Sequence, residues 1–250
     1  MGIKVLGYSE RGLINSLFYE LSYKADGASL LGQLLDKAYY SDSKASFGVS
    51  NPIILIEQSF SDFGDADAVL SFENDGRRQT VFVEAKVKTC EKDEWKIGRE
   101  FEEFRTGIGA KRLSSSNLFT QLYHKYRLAD GITKGSIAAV ASEGLLFPDC
   151  STRSPRKLGK NKIVLQAAEM ISKSLDDVTF LGIVPDKMEN IEEFVDSTLR
   201  LFNPGSDPNW RWSVRNWGWL NWQTIKEYCE VNGFENTLGN FKHNEEQIFE

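Results

Sequence analysis

The sequence predicts a mixed α/β protein, and three observations carry that expectation. Apolar residues recur at three- and four-residue spacing in some segments, they alternate with polar ones in others, and the two kinds follow one another as helices, three strands, helices, strand, helix. The first segment has Leu13, Leu17 and Leu21 with Ile14 and Phe18 behind Ser9-Glu10, an N-capped amphipathic helix over 9–24. Residues 29–40 repeat the pattern. Three strands are expected over 53–60, 66–73 and 79–89, the last two joined by the turn Asn74-Asp75-Gly76-Arg77-Arg78. Residues 91–112 are charged and carry Gly98, Gly107 and Gly109, so they read as helical pieces broken by a loop. Ser114-Ser115-Ser116-Asn117 caps a helix reaching about Ala129, with Leu118, Leu122, Tyr126, Phe119 and Tyr123 as its apolar stripe. Residues 136–147 read equally as a short helix or a strand, 150–161 as a basic loop, 162–175 as a helix, 178–185 as a buried strand and 191–202 as a helix.

Five of the six tryptophans (Trp210, Trp212, Trp217, Trp219, Trp222) then crowd into thirteen residues before a last helix over 222–231. The expected organisation is a body over 1–202 with a Trp-rich extension over 203–250 packed on it, or one domain over 1–250. Such a density of large aromatics reads as a small core, while Trp210-Arg211-Trp212 and Arg215 also pair stacking surfaces with cations, as single-strand binders do.

With 250 residues, 41% of them hydrophobic, the chain can bury a core without staples. Thirty basic against thirty-six acidic residues give a net charge of -6, which excludes a globally basic nucleic-acid coat and leaves room for a local basic groove. Cys90, Cys150 and Cys229 are scattered and odd in number, so no disulfide framework or zinc site is readable and a cytoplasmic setting is expected. No apolar run is long enough to span a bilayer and the start lacks a signal-type apolar stretch, so no membrane role is expected. His124 and His243 are the only histidines, and His124, between Tyr123 and Lys125, reads as a surface residue. Chemistry must therefore rest on carboxylates, lysines or hydroxyls.

One constellation offers that chemistry. In Val81-Phe82-Val83-Glu84-Ala85-Lys86-Val87-Lys88 a period of two puts the valines and Ala85 on one face and Phe82, Glu84, Lys86 and Lys88 on the other. The preceding strand carries Asp67 within Gly64-Asp65-Ala66-Asp67, and the short hairpin lets Asp67 approach Glu84. Asp65 is the alternative carboxylate. Two carboxylates on adjacent strands can hold a hard divalent cation, and a lysine beside them can orient a water and offset phosphate charge. A solvated face with the valines turned inward would give the same alternation.

Asp67 followed by Glu84-Ala85-Lys86 resembles the motif of the PD-(D/E)XK phosphodiesterase superfamily, which includes many restriction enzymes. The resemblance covers about residues 9–130 and the strand 178–185. It implies a restriction-endonuclease-like αβββαβ core and a Mg2+- or Mn2+-dependent nuclease acting on DNA, with RNA as the second candidate. It further implies that Asp67, Glu84 and the Ala85 carbonyl hold the metal, that Lys86 positions the water, and that Glu10, at the head of the first helix, completes the acidic cluster, with Glu20 in reserve. Gln121, followed by Tyr126, is similar to the glutamine-tyrosine pairing of RecB-type nucleases. No proline precedes Asp67, and members of the superfamily that have lost the metal site are known. The alternative is therefore a catalytically silent domain that binds nucleic acid or a protein partner. Arg153, Arg156, Lys157 and Lys160 in the basic loop are candidate phosphate contacts. Cutting both strands of a duplex would favour a homodimer.

Overall fold

The computed structural model describes residues 5–41, 46–88, 95–147, 154–174, 178–201 and 217–249. Its elements are α1 (Ser9–Tyr23), α2 (Gly27–Leu35), β1 (Tyr39–Tyr40), β2 (Ser50–Ser59), β3 (Asp65–Asn74), β4 (Arg77–Ala85), α3 (Ile97–Gly109), α4 (Leu118–Lys134), α5 (Ile137–Ser142), α6 (Lys162–Ser172), β5 (Val178–Val184), α7 (Met188–Phe194), β6 (Trp217–Asn221), α8 (Trp222–Asn232), α9 (Glu235–His243) and α10 (Glu245–Ile248). A short 3-10 turn, Ser61–Phe63, precedes β3, and a π-type turn, Val195–Leu199, extends α7. The strands form one mixed sheet in the order β1-β6-β5-β4-β3-β2. β2, β3 and β4 are antiparallel neighbours, whereas β4, β5 and β6 run parallel.

The hairpin between β3 and β4 follows from its turn. Asp75 and Gly76 both take positive φ, 50° and 77°, the pairing whose twist matches that of two antiparallel strands. β5 is buried throughout, as a parallel strand covered on both faces must be, and its Val-Thr-Phe-Leu-Gly-Ile-Val run is almost wholly apolar for that reason. β2 is the exposed edge, and Pro52 within it blunts pairing with a further strand.

Helices cover both faces. α3 to α7 pack on the face that presents Val69, Phe82, Phe180, Trp217 and Trp219, and α1, α2 and α8 to α10 on the face that presents Leu70, Phe72, Val81, Val83, Leu181 and Leu220. The architecture is a mixed α/β sandwich with a six-stranded sheet flanked by helices.

Four regions differ from expectation. Residues 97–109 form one continuous helix despite their glycines, because Ile97, Phe101, Phe104 and Ile108 make a single buried stripe. The second helix stops at Leu35, and Tyr39 and Tyr40 leave it to pair with Trp219 and Gly218. Residues 137–142 are helical, after which Leu145 pairs with Arg156. Trp217–Asn221, expected only as part of an aromatic cluster, forms β6, between β1 and β5. Gly182 of β5 makes this possible, since Trp219 lies opposite it and a Cβ at 182 would strike the indole ring. Trp210, Arg211, Trp212, Arg215, Cys90, Cys150 and Arg153 lie outside the described residues.

Candidate active site

β3 and β4 pair up to Ala68 and Val83. Beyond that pair the ladder gives way to a side chain: the Ala85 N–H donates to Asp67 Oδ2 at 2.7 Å. An extended residue sends its N–H and C=O to the same edge of its strand, so the Ala85 carbonyl lies on the β3 side. Alternation puts Asp67 and Glu84 on the face of Val69 and Phe82, beneath α4. The structure thus brings together Asp67, Glu84 and Ala85; Asp65 is exposed, and its charge is felt at Glu84.

Burial pushes the Asp67 carboxyl up to about 7; the Glu84 charge adds to this, the Ala85 N–H and Lys86 oppose it, and Glu10 adds a little more. Glu84 is fully buried, which raises its carboxyl above the ordinary range against the pull of Lys125 and Lys86. Two interacting acids that are both costly to ionise are a common feature of functional sites.

Sequence reasoning missed Lys125. From the middle of α4 its Nζ lies 3.1 Å from Glu84 Oε1, with both side chains 1% exposed. The ammonium lowers the Glu84 carboxyl by its charge and by hydrogen bonding. Nζ also donates to the carbonyls of Phe63 at 3.1 Å and Asp65 at 2.9 Å. The sequence did hold a signal: 118, 122, 125 and 129 are the i, i+4, i+7 and i+11 positions of one stripe, and a lysine there is a charge in a core position.

Lys86, half-buried, follows β4 directly; its N–H donates to the Ile183 carbonyl at 2.8 Å and its carbonyl accepts Trp222 Nε1 at 2.7 Å. Its ammonium pulls down the carboxyls of Asp67, Glu84 and Glu100. Glu100, another residue the sequence did not point to, reaches from α3 to accept the Leu118 N–H at 3.0 Å at the start of α4. Its carboxyl is raised by burial, against that hydrogen bond.

Glu10 takes the Ser9 hydroxyl and adds to the charge felt at Asp67, but it is not gathered with Asp67 and Glu84. Among the described residues no three acids, histidines or cysteines form a metal-holding group. Glu20 is committed elsewhere, since its oxygens accept the backbone N–H groups of Asn236 and Thr237 at the head of α9. Gln121 lies one turn before Lys125 on the same side of α4, and its buried Oε1 has no hydrogen-bond partner among the described residues.

The described part of the basic loop is held at Arg156 and Lys157. Arg156 donates to the Asp62 carbonyl and its guanidinium stands 5.3 Å from the Phe147 ring centroid, and the Lys157 N–H donates to Asp62 Oδ2 at 2.9 Å. Lys160 is exposed. His124, expected at the surface, is buried at 7% exposure, because α4 is covered on nearly every side. Burial lowers its imidazole well below the ordinary range, helped by Arg156, Lys125 and Arg127.

No family model, no curated protein and no solved structure matches the chain. No helix among the described residues is long and apolar enough to cross a membrane. What the site can do must be argued from its donors. They are hard oxygens: two carboxylates and a backbone carbonyl on adjacent strands. Mg2+ suits such a set, since it is commonly bound through one or two carboxylates and keeps several waters.

Proposed function

We propose that the chain is a Mg2+-dependent nuclease, with Mn2+ able to substitute, that hydrolyses phosphodiester bonds in DNA, RNA being the second substrate class. The observation that carries this is Asp67 bonded to the Ala85 amide beside the buried Glu84, with Lys86, whose charge lowers both carboxyls, directly after β4. The β2-β3-β4 meander followed by parallel β5 agrees with the restriction-endonuclease-like core that the motif implies.

Asp67, Glu84 and the Ala85 carbonyl would hold the ion, which when bound would polarise the scissile phosphate and acidify a bound water. Lys86 would orient the attacking water and offset charge building on the phosphate. Lys125 fixes the Glu84 carboxylate so that it need not reorganise as charge develops. Glu10 adds negative charge felt at Asp67, and the buried Gln121 Oε1 can accept from an enclosed water. The exposed Lys160 would add a sequence-independent phosphate contact. A homodimer would present two such sites to a duplex.

The test is cleavage of plasmid and single-stranded oligonucleotide with Mg2+, Mn2+ or EDTA, beside Lys86→Ala. Metal-dependent products that disappear in Lys86→Ala support the reading, and full activity in that variant removes Lys86 from its role. A second reading, a catalytically silent domain that binds nucleic acid or a protein, is favoured by one observation: Glu84 already has a cation in Lys125. Absence of cleavage together with no Mn2+-induced rise in Tm would decide for it.

A further inference from the structure

We infer that the Lys125 ammonium is a resident cation of the acidic site, so that the site takes up one exchangeable divalent ion and not a pair. The inference rests on the metal-dependent reading above and specifies how many ions that chemistry uses.

The surroundings of Nζ are those of a small cation site. Its three nearest oxygen partners are the carbonyls of Phe63 and Asp65 and Glu84 Oε1, at 3.1, 2.9 and 3.1 Å. They come from two backbone carbonyls and a carboxylate, the donor types that hard metal ions select. An ammonium has three protons, and here each has an oxygen within reach. The cradle is built by the chain and not by chance rotamers. Gly64 stands at φ +79°, a conformation that costs a residue with a side chain, and the turn it makes aims the carbonyls on either side of it at the same nitrogen. A Cβ at 64 would lie 3.5 Å from Nζ.

The charge arithmetic follows. Paired-metal sites hold their ions about 3.5–4 Å apart, with carboxylates between them. At Glu84 the inner flank of the carboxylate is already filled by a positive charge that is 1% exposed and anchored to two carbonyls. A second divalent ion on that flank would meet an ammonium that has nowhere to go. On the outer side, Asp67 spends one oxygen on the Ala85 N–H and keeps Oδ1 for a single ion shared with Glu84.

The test counts ions on the full-length chain by Mn2+ titration with electron paramagnetic resonance of the free ion, comparing wild type with Lys125→Ala. The inference expects one Mn2+ per chain in the wild type and two in Lys125→Ala, whose empty cradle accepts the second. It further expects methylammonium to raise the Tm of Lys125→Ala and to leave the wild type unchanged. Two ions in the wild type overturn the inference and leave the nuclease reading standing; one or none in a folded Lys125→Ala also overturns it. None in the wild type sinks the metal-dependent reading and the inference together. Should Lys125→Ala not fold, the wild-type count of one or two still decides.

Discussion

The two faces of the sheet are built from different materials. Beneath α1, α2 and α8 to α10 the core is largely aliphatic, with Leu13, Leu17, Leu30, Leu31, Leu34 and Leu35 against Leu70, Val81 and Val83. Its buried polar groups mostly do structural work: Asn244 Oδ1 accepts the Ser9 N–H, and the Tyr228 hydroxyl donates to the Leu30 carbonyl. Beneath α3 to α7 the core is aromatic and contains the buried charged groups Glu84, Lys125 and Arg127 together with His124. Burying a charge costs several kcal/mol unless it is compensated. Fold stability alone gives no reason to concentrate that cost on one face near the end of one strand. The contrast teaches that one face holds the molecule together while the other carries groups whose value lies elsewhere.

The largest effect that could break this contrast comes from its most buried pair. Lys125→Met leaves Glu84 buried without its cation and should destabilise by about 3–5 kcal/mol in denaturant unfolding. The double variant Lys125→Met/Glu84→Gln should recover most of that loss. On the opposite face Leu17→Ala should cost about 2–5 kcal/mol through lost burial and a cavity, with no partner whose removal restores it. Equal losses in the single and double lysine variants would mean that the pair is ordinary packing.

How far each face was legible from sequence follows the same division. The aliphatic face announced itself through periodicity, and helix 9–24, the Asn74–Arg78 turn and the central strands lie within a few residues of their expected places. Asp67 and Glu84 were legible because a period of two and a short hairpin constrain where strand residues go. Lys125 was not, because α4 reads as a surface helix until its other sides are seen to be covered, and the same error misplaced His124. The continuity of α3 was hidden by glycines, each costing about 1 kcal/mol in a helix, which four buried apolar residues outweigh. β6 was hidden because the tryptophans around it looked like a cluster of their own, whereas Trp217 and Trp219 belong to the large aromatic core of the sheet.

A smaller effect sharpens the contrast through acid. The His124 imidazole is held neutral by burial and by neighbouring cations, so its folded pKa lies below its unfolded one. The stability this group contributes is present above the unfolded value near 6.5 and is lost as pH falls towards the folded one, by up to about 1.4 kcal/mol per pH unit. Unfolding between pH 6.5 and 5 should therefore show a shallower loss in His124→Gln than in the wild type. Parallel curves would show that His124 is not what makes this face acid-sensitive.

The acidic pair has its own direct probe. Asp67 has its carboxyl raised from 3.8 to about 7, so the unfolded chain releases this proton first and the folded chain loses stability as pH rises between those values. Asp67→Asn keeps an oxygen for the Ala85 N–H but no longer ionises. Without divalent ions it should melt above the wild type at pH 8, by about 2–4 °C for each kcal/mol relieved, and the gap should narrow towards pH 4. Added Mg2+ should reverse the order, because an ion bound at Asp67 and Glu84 stabilises only the chain that still has both carboxylates. A variant that melts with the wild type at every pH, with and without Mg2+, would mean that the charge at Asp67 is of no consequence to the fold or to any ion.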